Sequence, residues 1–224
     1  MHTSELLQEI FHRLHNHFGA QNWWPGDSPF EIMVGAVLTQ NTNWQNVEKA
    51  IANLKDAGLL SFAALSSVPI EELAQYIRPA GYYNIKAGRL QNLFTMITEQ
   101  WDGDLDYLLK QPAAVLREHL LSVKGIGPET ADSMVLYAAE QPIFVVDAYT
   151  HRILCRHEVI PEEYGYFEIQ ELFMDNLEED TRLFNEYHAL LVQAGKNFCK
   201  KSKPKCAQCP LSGVGGVTDC YPSA

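Results

Sequence analysis

Apolar residues recur at helical spacing along nearly the whole chain, and no sustained alternation marks a strand. Leu6, Ile10, Phe11 and Leu14 form one stripe and predict a helix over residues 4–18. Ser28-Pro29-Phe30-Glu31 has the form of a capping box with proline just inside the start, and predicts a helix running through Ile32, Val34, Val37 and Leu38. Shorter amphipathic stretches predict helices over 47–54, 71–77, 86–100 and 113–121. Ala57-Gly58, Pro79-Ala80-Gly81 and Asp102-Gly103-Asp104 are the turn signals among them. Further helices are expected over 148–156, 167–177 and 181–194. With no repeat and no low-complexity tract, the pattern predicts an all-α protein.

Composition adds room for a core and a question of charge. At 224 residues and 46% hydrophobic, the chain suffices for one large domain or two small ones. Its net charge of −11 is unlike that of a nucleic-acid binder, but the acids are unevenly spread. Residues 158–180 hold nine carboxylates and no Lys or Arg, whereas 195–206 hold five lysines and no acid. Binding to phosphates follows the local field, so a basic patch on an acidic body can serve, with modest affinity for undamaged DNA at physiological salt. The plainer reading of the lysine run is a solvated loop. No apolar run approaches membrane-spanning length and the N-terminus does not look like a signal peptide, so an intracellular, cytoplasmic protein is expected.

Two motifs carry chemistry. In Lys124-Gly125-Ile126-Gly127-Pro128-Glu129-Thr130-Ala131, the glycines permit a sharp turn between two helices and Pro128 suits the first position of the second helix. N–H groups at such a helix start bind anions, of which phosphate is the obvious one. The following helix leads into Gln141-Pro142-Ile143-Phe144-Val145-Val146-Asp147, a connector that ends on a carboxylate. The second motif is Cys199, Cys206, Cys209 and Cys220, four of the five cysteines, in a lysine-rich C-terminal stretch. Four thiolates suit a zinc ion or an iron–sulfur cluster, and an intracellular setting disfavours disulfides. Cys155, within an apolar helical segment, reads as a small core residue.

The hairpin, the aspartate beyond it and the C-x6-C-x2-C spacing together resemble the helix-hairpin-helix DNA glycosylase superfamily, in particular its endonuclease III group. Resemblance covers about residues 20 to 220. It implies two helical lobes: a six-helix barrel with the hairpin over 27–140, and a second lobe from 1–26 and 141–224 carrying a [4Fe-4S] cluster. The active site would lie in the cleft between them. Asp147 is then the catalytic carboxylate, and Gly125, Ile126 and Gly127 hold DNA phosphate. Cys199, Cys206, Cys209 and Cys220 are the implied cluster ligands, although the last interval here is ten residues where the family has five.

Which base is removed is read from three further places. Glu129 stands where strand-cleaving relatives carry a lysine that forms a Schiff base, which a carboxylate cannot do; a monofunctional glycosylase without lyase activity is expected. Asn22-Trp23-Trp24-Pro25 and Leu38-Thr39-Gln40-Asn41-Thr42-Asn43-Trp44 resemble the 3-methyladenine branch. There Trp23, Trp24 and Trp44 would sandwich a cationic alkylated purine. Gln40 would fill the gap left by the flipped base. The implied partner is double-stranded DNA with a damaged base, bound by a monomer. A mismatch or oxidised-pyrimidine glycosylase is the enzymatic alternative, and a non-catalytic DNA-binding or redox-sensing iron–sulfur protein the alternative of another class.

Overall fold

The computed structural model describes residues 2–217. Its α-helices in chain order are α1 (Thr3–Phe18), α2 (Pro29–Thr39), α3 (Trp44–Asp56), α4 (Phe62–Ser66), α5 (Ile70–Tyr76), α6 (Tyr83–Trp101), α7 (Leu105–Leu109), α8 (Ala113–Ser122), α9 (Pro128–Ser133), α10 (Ala148–Arg156), α11 (Tyr166–Met174) and α12 (Thr181–Asn197). No strand occurs among the described residues, as the periodicity predicts. Half of the starts are fixed by a side chain that accepts an otherwise unpaired helix N–H: Ser28 for α2, Asn43 for α3, Ser61 for α4, Asp104 for α7, Asp147 for α10 and Asp180 for α12. Half of the expected capping box at α2 is present: Ser28 accepts from Glu31 N at 3.2 Å, while the Glu31 carboxylate lies 2.8 Å from Lys55 Nζ.

The chain forms two compact units, one of Trp24–Gln141 and the other of Met1–Trp23 with Pro142–Ala224. In the first, α2 is apolar on every side, and Ile32, Met33, Val34, Val37 and Leu38 are all buried. Lys86 of α6 reaches under its end and donates to Leu38 O at 2.7 Å and Ala80 O at 2.8 Å. Burial, with Arg89 nearby, lowers the Lys86 pKa to about 8. Lys86 therefore ties the C-terminal end of α2 to the turn at Ala80, with its ammonium turned inward. The buried Asp132 of α9 is gripped by Arg117 of α8, with Nε 2.6 Å and Nη2 3.2 Å from its two oxygens, which fixes the two arms of the hairpin.

In the second unit, α12 carries the core residues Phe184, Tyr187, Leu190, Leu191 and Ala194, and α1 contributes Leu7, Ile10 and Leu14. Tyr187 donates its hydroxyl to Leu7 O at 2.7 Å. The connector before Asp147 is anchored by its own apolar residues. Phe144 stacks on Phe173 of α11 at 3.7 Å, and Gln170 Nε2 donates to Phe144 O at 2.7 Å. Gly195 lets α12 press against α10: a Cβ there would stand 2.1 Å from Tyr149 Cδ1. Since His188 lies two turns back from Gly195, this contact also sets where His188 meets α10. Gly195→Ala is expected to lower stability by about 1–3 kcal/mol, read as a shifted urea midpoint at unchanged m-value.

Candidate active site

Asp147 is both the N-cap of α10 and the centre of the best-defined polar cluster. Its Oδ1 accepts from Thr150 N at 2.7 Å and Thr150 Oγ1 at 2.8 Å. Its Oδ2 lies 3.7 Å from His188 Nε2, and both side chains are about nine-tenths buried. Burial pushes the Asp147 carboxyl upward, but His188 and the two Thr150 hydrogen bonds outweigh it, leaving the pKa below the ordinary 3.8. The result is a fixed, ionised carboxylate with one oxygen held by Thr150 and the other beside an imidazole. Sequence reasoning missed His188, which sits among apolar residues of α12, and Thr150, which only the cap identifies.

The sign of this shift is testable. Asp147 adds stability above its unfolded pKa, and that contribution is lost as pH falls through its lower folded pKa. A carboxyl-carbon NMR titration should give a midpoint under the ordinary 3.8, and His188→Ala should raise it.

At the hairpin, Gly125 has φ 98°, and a Cβ there would stand 2.5 Å from Arg89 Cγ, so position 125 requires glycine on both counts. Gly127 differs: its backbone is extended (φ −97°, ψ 178°), with open space around the Cβ direction. Ile126 is buried and its N–H donates to Val123 O at 3.0 Å, making it the packed anchor of the turn. Pro128 opens α9 as expected, and Glu129 follows it, exposed in the first turn. Beyond Ser133 the helix widens into a π-helical turn, Met134–Ala138, which carries the buried Tyr137.

Tyr137 meets Trp24 edge to face at 5.9 Å, and Trp24 is left 40% exposed. Trp44, the first residue of α3, lies over Gly35, whose Cβ direction points to Trp44 Cη2 at 3.8 Å. Trp24 and Trp44 belong to the unit Trp24–Gln141, whereas Trp23 belongs to the other. Tyr137 was not anticipated, because an aromatic in an apolar run reads as core. Gln40, just past α2, donates from Nε2 to Gly125 O at 3.1 Å and to Thr130 Oγ1 at 2.9 Å, and its Oε1 accepts from Arg89 Nη1.

Cys199, Cys206 and Cys209 line one small cavity together with His157 and Phe198. Burial pushes the Cys209 thiol up, and so does the proximity of Cys199 and Cys206. Among the described residues, no three His, Cys, Asp or Glu side chains meet around a single point. Three thiols thus share one cavity, and it is the Cys209 thiol whose ionisation burial and its two neighbours disfavour. Cys220 lies outside the described residues. The loop leading toward it is docked: Arg13 Nη1 donates to Ser212 O at 2.9 Å, and Leu211 and Val214 are buried.

Arg152 Nε donates to Cys199 O at 2.8 Å. Arg156 Nη1 lies 3.3 Å from Cys199 Sγ and 2.8 Å from Lys200 O, so both arginines brace the start of the cysteine segment. Cys155 is a correction: it is partly exposed, not core, with Sγ 3.6 Å from His151 Nδ1. Its helix turns that face outward toward the segment holding Pro161. The lysines of 195–206 are all exposed.

The family model for HhH-GPD superfamily base excision DNA repair proteins matches residues 34–179. A putative DNA repair glycosylase of Methanocaldococcus jannaschii is 46% identical over 209 residues, covering 92% of this chain and 94% of that protein. Among solved structures, the H. pylori 3-methyladenine DNA glycosylase bound to 1,N6-ethenoadenine aligns with TM-score 0.73 and 29% identity, over 88% of this chain and 98% of its own. A non-covalent endonuclease III–DNA complex aligns with TM-score 0.80 and 25% identity, over 96% and 95%. With the hairpin, the capped aspartate and a match across most of its length, this chain belongs to the HhH-GPD superfamily and is a DNA glycosylase of base excision repair.

Proposed function

We propose that the chain is a monofunctional glycosylase that removes N-alkylated purines, 3-methyladenine above all, from double-stranded DNA. The observation that carries this is the Asp147 carboxylate, held ionised by Thr150 and His188. Cleaving the N-glycosidic bond sends the bonding electrons to the base and leaves an oxocarbenium-like sugar. A fixed anion stabilises that charge and orients or deprotonates the water that adds to C1′, giving an abasic site and the free base. An alkylated purine is already cationic, so it leaves neutral and needs little protonation by the site. Electron-rich rings favour such a base, and Trp24 and Trp44 are the residues we assign to hold it, with Trp23 a third. The likeness to a 3-methyladenine glycosylase crystallised with an adenine derivative supports this choice.

Strand cleavage through a Schiff base needs an amine, and position 129 supplies a carboxylate. Borohydride added during turnover is therefore expected to trap no protein–DNA adduct. Glu129→Lys should create one, visible as a shifted band on a denaturing gel; a trapped adduct with native protein contradicts the monofunctional reading.

We assign the DNA backbone contacts to the amides around Gly125 and Gly127, with Ile126 anchoring the turn, and the neighbouring phosphates to the exposed lysines of 195–206. We assign a [4Fe-4S] cluster to Cys199, Cys206, Cys209 and Cys220; the first three line one cavity, and a positive iron core there would offset what disfavours ionisation of the Cys209 thiol. When bound, its part is to hold the C-terminal segment, and excision passes through Asp147.

A further inference from the structure

Gln40 has the look of a polar side chain free to enter DNA, but it is tied down. Its amide nitrogen bonds Gly125 O at 3.1 Å and Thr130 Oγ1 at 2.9 Å, one partner in the turn of the hairpin and one in the helix beyond it. Its amide oxygen takes Nη1 of Arg89, from the middle of α6. Thr130 is buried. Arg89 lies so close to Gly125 that a Cβ at that position would meet its Cγ at 2.5 Å and its Cδ at 3.0 Å. Three separate elements therefore meet at one glutamine: the exit of α2, the hairpin and α6. To fill a gap in a duplex, Gln40 would have to abandon all three hydrogen bonds at once. A charge-assisted bond from Arg89 is among them.

We infer that Gln40 and Arg89 are positioning residues: they latch the loop after α2, which continues through Asn41 to Trp44, onto the hairpin, so that both engage DNA as one rigid piece. Asn41 sits in that loop with φ 53°, a strained backbone that such bracing helps to hold. The C-terminal end of α2 is fixed from beneath by Lys86 on Leu38 O, so the latch closes a loop whose entry is already immobile. The latch spares the DNA complex the ordering cost of two mobile segments. This inference rests on the reading of the hairpin as a grip on the DNA backbone.

A double-mutant cycle tests it, using the full-length protein and a duplex containing a tetrahydrofuran abasic analogue for affinity and 2-aminopurine for flipping. Gln40→Ala and Arg89→Ala should each weaken binding about tenfold and reduce flipping in step. The double variant should be no worse than either single one, because each already opens the latch. Gly125→Ala, which pushes Arg89 aside, should reproduce the same loss. Thermal melts of each variant separate this from general unfolding, which would change melting and binding together. The inference is overturned if Arg89→Ala behaves as native while Gln40→Ala loses flipping, since Gln40 is then an independent wedge. Losses that multiply in the double variant, or native behaviour in both single variants, overturn it as well. Base release by native protein from alkylated duplex DNA reports on the glycosylase reading separately.

Discussion

Asp147→Asn should reduce the single-turnover rate of base excision by about 10³-fold while leaving the protein folded. The substitution is unusually clean. Asparagine keeps an oxygen to accept Thr150 N and Thr150 Oγ1, bonds that start α10, and asparagine caps helices as well as aspartate does. What it removes is the charge opposite His188 and the anion that would face the developing positive sugar. Circular dichroism and affinity for abasic DNA should therefore stay near native while excision disappears. A variant that folds, binds and still excises at the native rate would place the chemistry elsewhere.

The second large effect is expected at Cys199, the buried member of the thiol cavity. Cys199→Ala should abolish iron binding in protein prepared anaerobically and loosen the C-terminal segment, because a metal centre of this kind contributes its binding energy to folding. The same change also takes the sulfur from Arg156, which sits 3.3 Å away. Iron analysis and the visible absorption of native and variant protein read the first effect, and limited proteolysis within 199–217 reads the second. Native protein that is colourless and iron-free would contradict the cluster assignment outright, without touching the role of Asp147.

Helical periodicity and local caps made the longer helices legible in the sequence. Ser28 announces α2 because the signal and its effect lie within one turn of each other, whereas the caps Asn43 of α3 and Asp180 of α12 were not singled out in the sequence. Two helices of five residues each, α4 and α7, escaped because so short a segment shows too little of its period. The start of α6 was set at Lys86 rather than Tyr83, since Tyr82 precedes it in a left-handed conformation without a capping side chain.

Long-range pairing was the harder part of the site to read. Asp147 stood out as a carboxylate ending an apolar connector, but nothing local marks His188 as its neighbour. Gln40 meets partners 49, 85 and 90 residues away, so its spacing in the chain says nothing of its bonds. Lys86 reads as a surface cation by type, yet backbone carbonyls capture it in the interior. In each case the missing information was tertiary contact, which periodicity does not encode.

The base removed defines what this glycosylase repairs. The most direct measurement is chromatographic identification of bases released from alkylated duplex DNA, resolving 3-methyladenine from 7-methylguanine, with Asp147→Asn as the blank. The native protein is expected to release 3-methyladenine and the variant none. Alkylated duplex left intact, with release instead from mismatched or oxidised duplexes, would contradict the alkyl-purine assignment.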